Sequence, residues 1–258
     1  MTGKAHTFEA PAQYRALIHD YTHAATEALA ETLWPTRCAL CDMPGTLLCD
    51  ECQRALAFID FWRACPLCGA PHGSVQCSEC NPIALKTLAR KKLPFSACVC
   101  TAAFTPTTAR LITTYKDRGE VRLAQSIAHM MAQVIPPRWP IELEAITVIP
   151  ASANALRRRG FDHARLLADA LADALNMPVV PTLARPRSKD QRGLSKSERA
   201  QNMKERFQVN AALHSPLPSS ILLVDDVFTT GATLCAATDA LQAAGVGEVR
   251  CTTFARVW

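Results

Sequence analysis

The chain has 258 residues, 49% of them hydrophobic, and a net charge of +5, which suits one sizeable core and a smaller module. No stretch is long and apolar enough to cross a bilayer, and residues 1–30 lack the apolar core of a signal peptide, so we expect a cytoplasmic protein without membrane insertion. Twelve Arg and Lys but only six Asp and Glu lie between Arg157 and Arg206. This local excess favours a phosphate or polyanion partner at one place over a generally basic surface.

The first predicted element is an amphipathic helix within residues 1–34. Apolar side chains recur with a period of about 3.6 over residues 8–33, and Pro35 ends the pattern. His19 and His23 are four residues apart on this helix. Their acidic neighbours favour a solvated face over a shared metal ion.

Four C-x-x-C pairs follow within residues 35–82 and predict a double zinc ribbon. The pairs are Cys38 and Cys41, Cys49 and Cys52, Cys65 and Cys68, and Cys77 and Cys80. In a reducing compartment such spacing indicates two structural Zn²⁺ sites rather than disulfides. Sequential pairing is preferred because each short segment can fold as its own hairpin, and crossed pairing between the two ribbons stays open. The remaining cysteines are expected in the core: Cys98, Cys100, Cys235 and Cys251.

Residues 95–258 alternate between strand and helix patterns, which predicts a parallel α/β sheet flanked by helices. Strands are expected at 96–104, 145–150, 179–187, 207–210, 221–224 and 248–257. Helices are expected at 107–115, 121–134 and 232–245, with a basic turn at 157–159 before a further helix that ends near 175. Ligands of such sheets bind at the carboxyl ends of the strands, where 151–154 and 225–233 would both lie.

The stretch ILLVDDVFTTGAT, residues 221–233, combines a buried strand, two acids and a small-residue turn before a helix. Unpaired amides and the helix dipole make such a turn an anion site. Asp225 and Asp226 carry like charges that repel each other, so their adjacency calls for a functional explanation. A ribose 5-phosphate uses both halves, because carboxylates accept from its hydroxyls while the turn holds its phosphate.

VDDVFTTGAT resembles the phosphoribosyl pyrophosphate (PRPP) motif of type I phosphoribosyltransferases. The wider pattern resembles the ComF family, which is related to competence and DNA uptake and in which a zinc ribbon precedes such a domain. YKDRGE, RRRGFDHA and QRGLSKSERAQNMKERF resemble three further stretches of that family, so the likeness runs from about Cys38 to residue 258. It implies a type I phosphoribosyltransferase-like domain over 95–258.

The resemblance implies that Asp225 and Asp226 are catalytic and bind the ribose hydroxyls, with Mg²⁺ bound together with PRPP. It implies a flexible flap over 187–203 that closes on the pyrophosphate. The other PRPP-binding residues that it implies are Thr229, Thr230, Gly231, Ala232 and Thr233 at the 5-phosphate, Ala151 and Ser152 at the pyrophosphate, and the cations Arg159, Arg192 and Lys196.

Two stretches depart from the family pattern. VIPASANAL stands where a Pro-Val-Pro-Leu-His-like loop is usual, and Gly-Phe-Asp-His stands where Gly-Phe-Asn-Gln is usual. A carboxylate beside pyrophosphate is unfavourable, so Asp162 is predicted to point outward. For His163 a capping or surface role is favoured over an acid or base role, because nothing in the sequence orients it.

Two functions follow as hypotheses. The first is a Mg²⁺- and PRPP-dependent transferase acting on an acceptor that the sequence does not identify. The second is a non-catalytic PRPP-binding factor that handles single-stranded DNA, with single-stranded DNA and a DNA-uptake helicase as the partners that the resemblance implies. We also expect the ribbon to take the place of the hood that covers the acceptor in other phosphoribosyltransferases.

Overall fold

The computed structural model describes residue 32 and residues 35–185, 207–210, 213 and 216–258. The chain divides into two compact units, residues 1–49 and 50–258. The helix predicted within 1–34, apart from Thr32, and the whole of the flap predicted over 187–203 lie outside the described residues. Within the described ranges, no helix is both long and apolar enough to span a bilayer.

The larger unit alternates strands with helices, as the sequence predicts. Its strands are β1 (Ala97–Ala103), β2 (Ala145–Val148), β3 (Ser220–Phe228) and β4 (Glu248–Arg256). Its helices are α1 (Asp50–Arg54), a 3₁₀ helix (Ala84–Leu88), α2 (Pro106–Lys116), α3 (Leu123–Val134), α4 (Trp139–Glu142), α5 (Ala153–Arg159), α6 (His163–Leu175) and α7 (Ala232–Ala243).

The four strands form one parallel sheet in the order β1-β4-β3-β2. The side chains of Ile221 to Val224 in β3 are 0% exposed, because both faces of the sheet are covered. Ile221 and Leu223 share a core with α7, while α3 and α6 pack on each other and on the strands. The predicted parallel α/β sheet flanked by helices is therefore confirmed.

Two predicted strands are absent from this sheet. Residues 179–185 make only isolated bridges, in which Val179 pairs with Ile146 and Leu183 pairs with Val209. The strand predicted at 207–210 is likewise reduced to that single antiparallel bridge. Pro178 and Pro181 lack the amide hydrogens that a continuous ladder needs, which explains why the pairing stays local.

Two boundaries near the site also differ from the prediction. β3 continues past Val224 to Phe228, so the acid pair lies within the strand rather than in the loop. The arginines at 157–159 form the last turn of α5 rather than a turn before a helix. The Ser152 side chain caps α5 at its start and Gly160, with φ of 80°, ends it; cations are favoured in that last turn by the helix dipole.

The outer edge of β1 is covered by the segment that carries the second group of cysteines. Ile59 N–H donates to the Thr101 carbonyl over 3.0 Å, and Cys98 N–H donates to the Pro66 carbonyl over 3.4 Å. Gly69 approaches so closely that a Cβ atom there would lie 2.5 Å from Cys100 Sγ. This part of the ribbon is therefore packed into the sheet rather than attached by a linker.

Candidate functional site

The two acids at the carboxyl end of β3 differ in their surroundings. Asp226 N–H donates to Asp225 Oδ1 over 2.9 Å. Burial raises the pKa of Asp225 to about 8, and the adjacent charge of Asp226 adds to the rise. Asp226 instead contacts Lys116, whose Nζ lies 2.6 Å from Asp226 Oδ2. The pair therefore combines a carboxyl group that resists ionisation with one that is already ion-paired.

His163 lies on the other side of Asp226. Its Nε2 is 3.7 Å from Asp226 Oδ2, and its side chain is buried at the start of α6. Arg159 Nη1 lies 3.1 Å from His163 Nδ1, and Arg159 Nε donates to Asp117 Oδ1 over 3.0 Å. Burial lowers the pKa of His163, although the charge of Asp226 opposes this, so the imidazole is neutral at pH 7. Asp117, Arg159 and His163 thus form a connected group beside the acid pair.

The turn after β3 leads directly into α7. Thr229 and Thr230 are exposed, Gly231 is buried with φ of 81°, and Ala232 begins the helix. Thr230 Oγ1 accepts a hydrogen bond of 3.3 Å from Ala232 N–H. Thr233 lies in the first turn of α7, where unpaired amides and the helix dipole favour an anion. The five residues of the predicted phosphate loop are thus contiguous around a helix N-terminus.

The eight cysteines of the four C-x-x-C pairs form two groups. Within each group the four sulfur atoms lie within 4.8 Å of one another: Cys38, Cys41, Cys49 and Cys52 in the first, and Cys65, Cys68, Cys77 and Cys80 in the second. The prediction of sequential rather than crossed pairing is confirmed. The four buried cysteines outside these groups also match their predicted core positions.

The sulfur spacing fits a tetrahedral metal ion. Cys65 Sγ lies 3.6 Å from Cys80 Sγ, and Cys68 Sγ lies 3.5 Å from Cys77 Sγ. A Zn²⁺ ion with Zn–S bonds of about 2.3 Å separates its sulfur ligands by about 3.8 Å. Hydrogen bonding with Cys68 lowers the pKa of Cys65 and raises that of Cys68, so without a metal the four thiols do not ionise alike. Each group can therefore hold one metal ion.

Comparison with known proteins found a family model and related competence proteins. The family model described as phosphoribosyl transferase domain matches residues 157–257. Competence protein ComFC of Bacillus subtilis is 25% identical over 192 residues, which cover 74% of this chain and 76% of that protein. Competence protein F of Haemophilus influenzae is 34% identical over 109 residues, 42% of this chain and 48% of that protein. These matches support the resemblance of the chain to the ComF family.

The match to the Haemophilus protein thus spans about half of that relative's length. Among solved structures, adenine phosphoribosyltransferase from Leishmania tarentolae aligns with 56% of this chain and 74% of its own chain. The sequence identity in that alignment is 13% and the TM-score is 0.33.

The other predicted PRPP-binding residues have different surroundings. Ala151 and Ser152 follow β2, the neighbour of β3, and so lie at the same edge of the sheet as the acid pair. Arg159 is mostly buried and is paired with Asp117. Arg192 and Lys196 lie outside the described residues.

The structure adds Lys116, which the sequence did not single out, and changes the role expected for His163. Lys116 lies in the YKDRGE stretch, which was linked to the family but given no role. The prediction of a surface or capping role for His163 is wrong, because Asp162 caps α6 and His163 is buried beside Asp226. Asp162 Oδ2 itself pairs with Arg185 Nη2 over 2.8 Å, so its charge has its own partner.

Proposed function

We propose that this protein binds PRPP with Mg²⁺ and transfers the phosphoribosyl group to an acceptor. The observation that carries the proposal is the acid pair at the carboxyl end of β3, followed at once by a loop around the N-terminus of α7. Asp225 and Asp226 accept from the two ribose hydroxyls, and residues 229–233 bind the 5-phosphate through amides and hydroxyls. The family match over residues 157–257 includes both halves of this site.

In the proposed reaction, the bond between the anomeric carbon and the pyrophosphate oxygen breaks, and the pyrophosphate leaves with the electron pair. The acceptor nucleophile forms the new bond to that carbon and releases its proton to water. Mg²⁺, when bound with PRPP, supplies positive charge to the pyrophosphate. The carboxylate of Asp226 favours the positive charge that develops on the sugar, and Asp225 adds to this effect in its ionised form. Arg192 and Lys196 belong to the proposed flap that closes over the leaving group.

Lys116 and His163 act on the charge of Asp226. In the free protein Lys116 neutralises this carboxylate at 2.6 Å, which offsets its repulsion with Asp225. When ribose hydroxyls donate to Asp226, the ammonium group becomes available for the anionic ligand. His163 lies next to Arg159 and is neutral, so it places a polar side chain beside Asp226 without adding another positive charge.

The two cysteine groups are proposed to bind two structural zinc ions. Four thiolates in a closed tetrahedral site leave no position for substrate, so we assign these ions no part in the reaction. We also propose a cytoplasmic location, because all twelve cysteines are free thiols and eight of them are arranged for metal binding.

Calorimetry with PRPP and Mg²⁺ tests the binding step, and pyrophosphate release in the presence of candidate acceptors tests transfer. Wild-type protein, in which the acid pair is intact, should bind PRPP. The double variant Asp225→Asn, Asp226→Asn should lose binding, whereas Asp169→Asn on the exposed side of α6 should not. Equal binding by all three proteins would rule out this site.

The second candidate is an accessory factor that binds PRPP without catalysis and handles single-stranded DNA. The names of the two relatives as competence proteins and the excess of positive charge between Arg157 and Arg206 favour it. Binding through phosphate contacts should weaken steeply as salt rises. An anisotropy titration with a labelled oligonucleotide at two salt concentrations tests this, and affinity that is absent or independent of salt would exclude direct DNA contact.

A further inference from the structure

Arg256, the last residue of β4, places a buried positive charge against the proposed phosphate loop. Its side chain is 2% exposed, and its Nη1 donates to the Thr229 carbonyl over 2.9 Å and also to the Val257 carbonyl. The carboxylate that pairs with it, Glu79, lies 3.7 Å away at Oε2, and among the described residues Arg256 Nε has no hydrogen-bond partner. The charge is therefore only weakly compensated by the protein.

Phe228 connects Arg256 to the other end of the loop. The Phe228 ring centroid lies 4.0 Å from Arg256 Cζ, a cation–π contact. A Cβ atom at Gly231 would lie 2.7 Å from the same ring, so the loop backbone rests directly on it. Both ends of the segment from Thr229 to Gly231 are thus fixed from the interior of the protein.

This arrangement suits a loop that binds an anion. A carbonyl oxygen that faced the phosphate would repel it, whereas amides attract it. The hydrogen bond from Arg256 orients the Thr229 carbonyl toward β4. The outer side of the loop can then present N–H and O–H donors to the phosphate. Building on the proposed PRPP site, we infer that Arg256 is a positioning residue for the 5-phosphate loop and that its ion-pair partner Glu79, in the second ribbon, helps to orient its guanidinium group.

Glu79 stands inside the second zinc ribbon, in the sequence Cys-Ser-Glu-Cys that ends at Cys80. The two flanking cysteines are members of the second four-sulfur group, so the position of Glu79 depends on that group. The first group contains the matching sequence Cys-Asp-Glu-Cys with Glu51 at the same place. Support of the phosphate loop therefore comes from the second ribbon, and Glu51 in the first ribbon serves as an internal control.

The test measures binding of ribose 5-phosphate and, separately, of Mg²⁺ pyrophosphate by calorimetry with the full chain. Arg256→Lys keeps the charge but loses the planar guanidinium, so ribose 5-phosphate should bind roughly tenfold more weakly, while pyrophosphate binding stays unchanged. Glu79→Gln should weaken ribose 5-phosphate binding severalfold. Two controls should match wild type: Glu51→Gln, and Arg250→Lys at the opposite end of β4. Zinc content and melting temperature are recorded for every variant.

Glu79→Gln keeps Arg256 itself and so tests the inference even if Arg256→Lys folds poorly. Unchanged ribose 5-phosphate affinity in Arg256→Lys would overturn the role of Arg256. Equal effects of Glu79→Gln and Glu51→Gln would overturn the link to the second ribbon. Equal losses of ribose 5-phosphate and pyrophosphate binding in Arg256→Lys would overturn the positioning role, because the effect would not be confined to the 5-phosphate loop. A wild-type protein that bound neither ligand would contradict the proposed function rather than the positioning role alone.

Discussion

Replacing Asp225 with Asn tests whether the acid pair reduces the stability of the free protein. The pKa of Asp225 is raised from 3.8 to about 8, first by burial and then by Asp226. Because this folded-state pKa lies above the unfolded value, the contribution of Asp225 to stability is fully present below pH 3.8 and is lost as the pH rises through about 8. Asn stays neutral and keeps an oxygen that can accept from Asp226 N–H, so the variant avoids this loss.

The magnitude follows from the size of the shift. About four pH units at about 1.4 kcal/mol each give an upper limit of about 6 kcal/mol. Lys116 loses part of its acidic surroundings in the variant, so we expect a net gain of roughly 2–4 kcal/mol in the free energy of unfolding at pH 8. Between pH 5.5 and 8 the advantage of the variant should grow by at most about 1.4 kcal/mol per pH unit.

Urea denaturation of both proteins at several pH values, with zinc content checked, measures this slope. Asp239→Asn serves as a contrast because Asp239 Oδ1 accepts a hydrogen bond of 3.1 Å from Arg90, so this variant should be less stable than wild type. The variant at Asp225 should also lose PRPP binding. A variant that was less stable than wild type at pH 8, or a difference that did not depend on pH, would refute the reasoning.

Three further predictions follow from single contacts. Lys116→Met leaves Asp226 without its partner, so thermal melting should occur at a lower temperature at pH 8 and calorimetry should show PRPP affinity reduced by roughly tenfold or more. Gly69→Ala should destabilise by roughly 2 kcal/mol or more in urea denaturation, because the added Cβ would lie 2.5 Å from Cys100 Sγ and φ is +68°. Cys65→Ser should remove one of two zinc equivalents measured by metal analysis and lower the melting temperature.

Each of these has a matched control. Lys86→Met removes an exposed lysine and should leave melting and PRPP affinity unchanged. Gly160→Ala has a similar φ of +80° but no atom within 4 Å of the added Cβ, so a loss as large as that of Gly69→Ala would exclude the steric explanation. Cys235→Ser should retain both zinc equivalents because Cys235 lies outside both sulfur groups. Full zinc content in Cys65→Ser would contradict the assignment of the second site.

Local patterns in the sequence predicted the features that depend on neighbouring residues. The hydrophobic run at the start of β3, the turn at Gly231 and the four C-x-x-C pairs each specify a conformation through residues a few positions apart. Their arrangement in the structure matches these predictions. Residues 179–185 of the strand predicted at 179–187 make only isolated bridges, because Pro178 and Pro181 limit pairing there. The hydrophobicity of the segment does not reveal this limit.

The surroundings of the acid pair were decided only by the tertiary structure. Lys116 is 110 residues from Asp226 in sequence, and the parallel order β1-β4-β3-β2 brings the ends of α2 and β3 together. The same order places Arg256 next to the loop after β3 and within 3.7 Å of Glu79. The residues next to a charged residue in sequence do not predict its distant ion-pair partner. The sequence therefore predicted the groups that could bind a phosphorylated ribose. Packing determined which charged residues surround those groups.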